Sequence, residues 1–211
     1  MSCVVLKDIS KSFGPKIVFS HFDLTVSEGE FVALVGPSGC GKTTLLNMIG
    51  LLEKPGSGDI FISGVKNPRL ESNEGRHLLR TQISYMFQNY GLVEHLSVSD
   101  NLRIATRFLN LSKKEERQKI TAVLDRVGLA GYEKTKIFQL SGGEQQRIAV
   151  AKIMLKPSDL ILADEPTGSL DSENRDHIMR LLKHFNQEGK TVIVVTHDPE
   201  VEKCAQRSVK L

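Results

Sequence analysis

Residues 36–43 read GPSGCGKT, and the fold follows from this octapeptide and its neighbours. It matches G-x-x-x-x-G-K-[ST], with an apolar strand candidate before it (Phe31–Val35, FVALV) and a helical pattern after it (KTTLLNMIGLL). The residue types have physical reasons. Gly36, Gly39 and Gly41 permit tight turns, so successive backbone N–H groups of Gly36, Pro37, Ser38, Gly39, Cys40 and Gly41 (proline excepted) can converge on an anion. The helix that follows aims its positive end at the same point. Lys42 supplies a full charge for β and γ phosphates, and the Thr43 hydroxyl is a ligand for Mg²⁺. Cys40 reads as a small residue that fits a tight loop.

Working outward, strand candidates are Val4–Ile9, Phe31–Val35, Ile60–Ile62, Ile83–Phe87, Leu160–Ala163 and Thr191–Thr196. Three of them (FVALV, LILA, TVIVVT) are nearly continuous apolar runs, which suit strands buried on both faces of a parallel sheet. Helical spacing appears at Ile120, Val123, Leu124 and Val127, behind the S-x-x-E capping pattern of Ser112 and Glu115, and again at Ile178, Leu181, Leu182 and Phe185. Strands dominate to about residue 88, helices rich in Lys, Arg and Glu fill about 97–157, and then strands return. This predicts one domain over 1–211, with an α/β core at about 1–88 and 158–211 and a helical subdomain inserted at about 89–157. Ser63–Arg80, with Gly64, Pro68 and Gly75, reads as an irregular connection.

Composition narrows the function classes. With 211 residues and 40% hydrophobic residues the chain can bury a core without staples. A net charge of +3 from 28 basic and 25 acidic residues is too mild a footprint for nucleic acid, which is not an expected partner. No apolar run approaches the roughly 20 residues of a membrane span, and MSCVVLKDIS lacks the pattern of a signal peptide. Cys3, Cys40 and Cys204 are odd in number and far apart, which favours a reducing compartment. Only 14 residues follow His197, so no appended regulatory domain is expected.

A second element of chemistry is LILADE at 160–165. An apolar strand ending in Asp places a carboxylate at the strand's C-terminal edge, where ligands sit in open α/β sheets. Asp164 can hold the hydration shell of Mg²⁺, and Glu165 is then positioned to orient or deprotonate an attacking water. A third is LSGGEQQR at 140–147, in which Ser141 and Glu144 form a capping box at a helix start. Ser141, Gly142 and Gly143 leave that helix tip bare enough for a phosphate to approach.

With these three motifs the chain resembles the nucleotide-binding subunit of an ABC (ATP-binding cassette) transporter over essentially its whole length. The resemblance implies a P-loop NTPase (RecA-like) α/β core with an N-terminal antiparallel β subdomain and an inserted α-helical subdomain. It implies ATP and Mg²⁺ as ligands, bound by Lys42, Thr43, Thr44, Ser38 and the loop amides, with Phe13 stacking on adenine. Catalytic roles fall to Glu165, His197, Lys42 and Gln88, and metal contacts to Thr43, Gln88 and Asp164. Ser141, Gly142, Gly143 and Gln145 would meet the γ-phosphate of ATP held by an opposite subunit, so a head-to-tail homodimer forms on ATP binding. Asp171 would lie across that interface; Ser169 stands where relatives carry Asn or Ala.

Membrane permease subunits are the implied partners, docking around Gln88 and Tyr90–Leu96 at the cytoplasmic face of the membrane. GLLEKPGSG (50–58) and FQNYGLVEHLSVSDNL (87–102) resemble the macrolide-export and lipoprotein-release branch, which also includes bacteriocin exporters. Two rival readings are weaker. A soluble ATPase of DNA repair would need a coiled coil between Lys42 and Leu140, where only 97 residues lie, and a translation factor would need two cassettes. A small-molecule kinase would leave LSGGEQQR without a task.

Overall fold

The three continuous apolar runs are neighbouring strands. The computed structural model describes residues 1–168 and 171–211. Its elements in chain order are β1 (Ser2–Phe13), β2 (Lys16–Ser27), β3 (Phe31–Val35), α1 (Lys42–Ile49), β4 (Ser57–Ile62), β5 (Val65–Lys66), α2 (Asn73–Thr81), β6 (Ile83–Met86), α3 (Val98–Thr106), α4 (Lys113–Arg126), a 3₁₀ turn (Ile137–Gln139), α5 (Gly142–Leu155), β7 (Leu160–Asp164), α6 (Ser172–Gln187), β8 (Thr191–Thr196), α7 (Pro199–Glu202) and β9 (Arg207–Lys210).

A five-stranded sheet runs β6-β7-β8-β3-β9 with every pairing parallel. All residues of β3, β7 and β8 are buried, which is why their sequences show no polar alternation. One face packs on α1 and on the second sheet through Val32, Leu34, Leu45, Leu46 and Ile193. The other packs on α5 and α6 through Phe31, Ala33, Val150, Ile178 and Val192. The second sheet, β2-β1-β4-β5, is antiparallel. Helices α3, α4 and α5 build a third core around Leu102, Ile120, Leu124, Val127 and Ile148. Ser112 and Glu115 close the expected capping box on α4.

Several elements differ from the sequence reading. β2, β5 and β9 carry no signal strong enough to be read. In β2 the register with β1 shifts repeatedly, and the bulged pair Asp8 (φ 55°) and His21 (φ 51°) breaks the alternation. The supposed irregular stretch contains α2. Ser72 caps it by accepting from Gly75 N at 2.9 Å, and Gly75 is required because a Cβ there would lie 1.9 Å from the Arg69 carbonyl oxygen. The helix after the octapeptide stops at Ile49, not Leu52, with Gly50 as its C-cap. No helix among the described residues is long and apolar enough to cross a membrane.

Candidate functional site

β3 ends at Val35 and delivers the glycine loop; α1 begins at Lys42. Gly41 is the N-cap of α1 at φ 106° and offers no side-chain cap, so the first-turn N–H groups of the helix remain directed at the loop. A Cβ on Gly41 would lie 2.4 Å from Val18 Cγ1 and 2.9 Å from Phe19 Cζ, so β2 packs directly on the loop. Lys42 is 8% exposed, and its ammonium donates to the carbonyls of Gly36 (2.8 Å) and Pro37 (3.0 Å). Its charge therefore sits inside the loop. Phe13, Ser38, Gly39, Gly41, Thr43, Thr44, Gln88 and Glu165 line one cleft with it.

The acidic edge of β7 closes the other side. Asp164 is 4% exposed and accepts from Thr43 Oγ1 at 3.1 Å. Burial pushes its carboxyl above the usual carboxylate range, partly offset by the Thr43 hydroxyl. Glu165 takes a left-handed backbone conformation (φ 46°) while its N–H donates to Val195 O at 3.0 Å. A non-glycine residue held there costs energy that the surrounding structure must offset, a pattern that clusters at functional sites. His197 follows β8 and places Nδ1 2.8 Å from Glu165 Oε1. Gln88, exposed just after β6, lines both the loop cleft and an adjoining cleft shared with Glu165 and His197. The donor set fits Mg²⁺, which keeps several waters and takes only one or two protein oxygens beside substrate phosphates. A hydroxyl and a carboxylate already within 3.1 Å supply those oxygens.

The LSGGEQQR tip lies elsewhere. Ser141 caps α5, its N–H donating to Glu144 Oε2 at 2.8 Å and its Oγ accepting from Glu144 N at 3.3 Å. Ser141, Gly142, Gly143 and Gln145 do not line the cleft of their own chain; Gln145 donates to Leu140 O at 3.1 Å. Gly143 packs on Asn174, which accepts from Arg147 and donates to Asp171 Oδ2 at 2.7 Å. Asp171 is the exposed N-cap of α6, and Ser169 lies outside the described residues. Two residues escaped sequence reading. Lys16, on β2, lines the cleft and reaches Gly39 O at 3.4 Å; it lies 20 residues before the motif, on a strand that was itself not legible. Gln146, buried, donates to Pro166 O at 2.6 Å and so ties α5 to the segment after Glu165.

A family model described as ABC transporter matches residues 19–168. The macrolide export ATP-binding/permease protein MacB of Escherichia coli is 39% identical over 212 residues, covering 99% of this chain and 33% of that protein. The MacB protein of Acinetobacter baylyi is 40% identical over 92% of this chain and 29% of its own length. The chain thus spans about a third of the length of these curated relatives. Among solved structures, a dimeric post-hydrolysis state of the ATP-binding cassette MJ0796 bound to ADP and Pi superposes with a TM-score of 0.90 at 38% identity, over 99% of this chain and 94% of that one.

Proposed function

Because the chain belongs to the ABC transporter family, we propose that it is an ATPase that closes as a homodimer around two MgATP and powers transport through separate membrane subunits. The observation that carries the reading is the convergence of Lys42, Thr43, Asp164, Glu165 and His197 on the glycine loop, while the Ser141 tip stands apart from it. A tip built for an anion but lying outside the cleft of its own chain fits a site completed by a second copy.

Loop amides, Lys42 and Thr44 hold the triphosphate, and Phe13 takes the base. Thr43, Asp164 and Gln88 would hold Mg²⁺, which when bound neutralises charge on the β and γ oxygens. Gln88 and Glu165 orient a water; its oxygen attacks the γ-phosphorus, its proton passes to Glu165, and the bond to the ADP oxygen breaks. His197, held 2.8 Å from Glu165, would stabilise the developing charge with Lys42. Ser141 and Gly143 of the second copy cap the γ-phosphate.

The exported work needs a docking surface. Tyr90–Leu96 reaches one through Gly91, which packs on Phe87 and accepts from Lys152 at 2.7 Å, beside exposed Ile104 and Phe108. The branch with MacB is the proposed setting, at the cytoplasmic face of the membrane, and the transported substrate belongs to the membrane subunit. Phosphate release measured across a dilution series tests the sandwich: turnover per subunit rises with protein concentration, and strictly proportional rates would refute it. Glu165→Gln should retain ATP and lose turnover; unchanged turnover would remove Glu165 from catalysis.

A further inference from the structure

Phe13 is 48% exposed and forms a wall of the nucleotide cleft. Two residues before it on β1, across an irregularity of the ladder between Lys11 and Ser12, stands Lys11. Its ammonium lies 4.9 Å from the centroid of the Phe13 ring. The ammonium covers one face of the ring, which leaves the other face for a base. The lysine side chain is only 12% exposed, and its Nζ is fixed by two contacts of 2.7 Å, one to Glu53 Oε1 and one to the Lys54 carbonyl.

Glu53 and Lys54 belong to the segment just after α1, the helix whose first turn forms the phosphate cradle. That helix, eight residues and about 12 Å long, therefore connects both ends of the nucleotide site. Its N-terminus meets phosphates, and its C-terminal extension anchors the cation behind the base-stacking ring. The hydrogen bond from Lys11 also holds the Glu53 carboxyl below its usual range. An ammonium on one face of a ring draws π density toward itself. The opposite face then repels the π cloud of a stacked base less, and the ring is held in one orientation.

We infer that Lys11 is a positioning and specificity residue for the nucleobase: anchored by Glu53, it fixes Phe13 and polarises the ring for stacking on a purine. The inference rests on the nucleotide-binding reading above and assigns Lys11 no contact with phosphate. A role in stacking affects a ligand with a base and spares one without.

The test is a calorimetric titration of the purified chain, in the presence of Mg²⁺, with ADP and with inorganic pyrophosphate. Lys11→Met should weaken ADP about two- to five-fold, the scale of one cation–π contact, and leave pyrophosphate unchanged; Lys11→Arg, which can both stack and pair with Glu53, should restore ADP affinity. In a Phe13→Ala background, Lys11→Met should have no further effect on ADP, since the ring it acts through is gone. Equal weakening of ADP and pyrophosphate would show a merely structural lysine, and undiminished ADP affinity would show an idle one; either overturns the inference alone. A wild-type chain that binds neither ligand would overturn the nucleotide reading and this inference with it.

Discussion

Replacing Gly41 by alanine isolates how tightly β2 is pressed against the phosphate loop. Two penalties add. An alanine forced to φ 106° costs about 1–2 kcal/mol from Cβ–carbonyl crowding. Its methyl would sit 2.4 Å from Val18 Cγ1 and 2.9 Å from Phe19 Cζ, an overlap of the kind that costs about 1–3 kcal/mol when a packed site must shift. A total near 3 kcal/mol lowers the Tm of a chain this size by about 6–12 °C. Gly189→Ala is the control: its φ is 88° and a Cβ there meets nothing within 4 Å, so only the conformational penalty remains, about 2–8 °C. Scanning calorimetry of both variants separates the two penalties. Val18→Ala combined with Gly41→Ala should recover part of the loss, because Val18 supplies the nearer atom. Equal Tm shifts for Gly41→Ala and Gly189→Ala, with no recovery in the double variant, would refute the packing argument.

The acid–base and metal contacts yield further outcomes. Burial raises the Glu30 carboxyl, but hydrogen bonding and charge from Arg207 at 2.6 Å, with the Ser27 N–H, outweigh it and leave the group below its usual range. The folded chain therefore releases this proton more readily than the unfolded one, so the contact stabilises above the unfolded carboxylate range and is lost as pH falls through the folded one. Glu30→Gln should cost about 0.5–1 kcal/mol at neutral pH, with the gap to wild type closing in urea titrations run toward pH 3. Thr43→Val keeps the shape and removes the donor to buried Asp164; affinity for MgATP should fall about tenfold or more, with metal-free ATP little changed. Ser158→Ala leaves Ser84 Oγ, its 2.9 Å partner in a buried pair, unsatisfied and should cost about 1–3 kcal/mol by the same unfolding assay.

What could be read from the sequence had a local physical signature. β3, β7 and β8 announced themselves because burial on both faces leaves nearly continuous apolar runs, with polar residues only at strand ends (Asp164, Thr191 and Thr196). The glycine loop and the capping boxes of α4 and α5 were legible because their residue types are dictated by backbone hydrogen bonding within four positions. α2 was hidden by Gly75, which looks like a breaker and is there for a close approach to Arg69. β2 was hidden because its strand is half solvated and bulged, so no period survives. The same divide runs through the site. Lys42, Thr43 and Asp164 lie in motifs; Lys11, Lys16 and Asn174 act through partners that are distant in sequence or that no motif names, and only the fold brings them together.

Whether nucleotide is held between facing copies is decided by a mass measurement. Glu165→Gln with saturating ATP and Mg²⁺, passed over a sizing column with light-scattering detection, should shift from the 23.4 kDa subunit to twice that mass. The shift should vanish when ADP replaces ATP or when Ser141 is replaced by arginine. A particle that stays at 23.4 kDa with ATP demonstrably bound would show that the copies do not close on nucleotide.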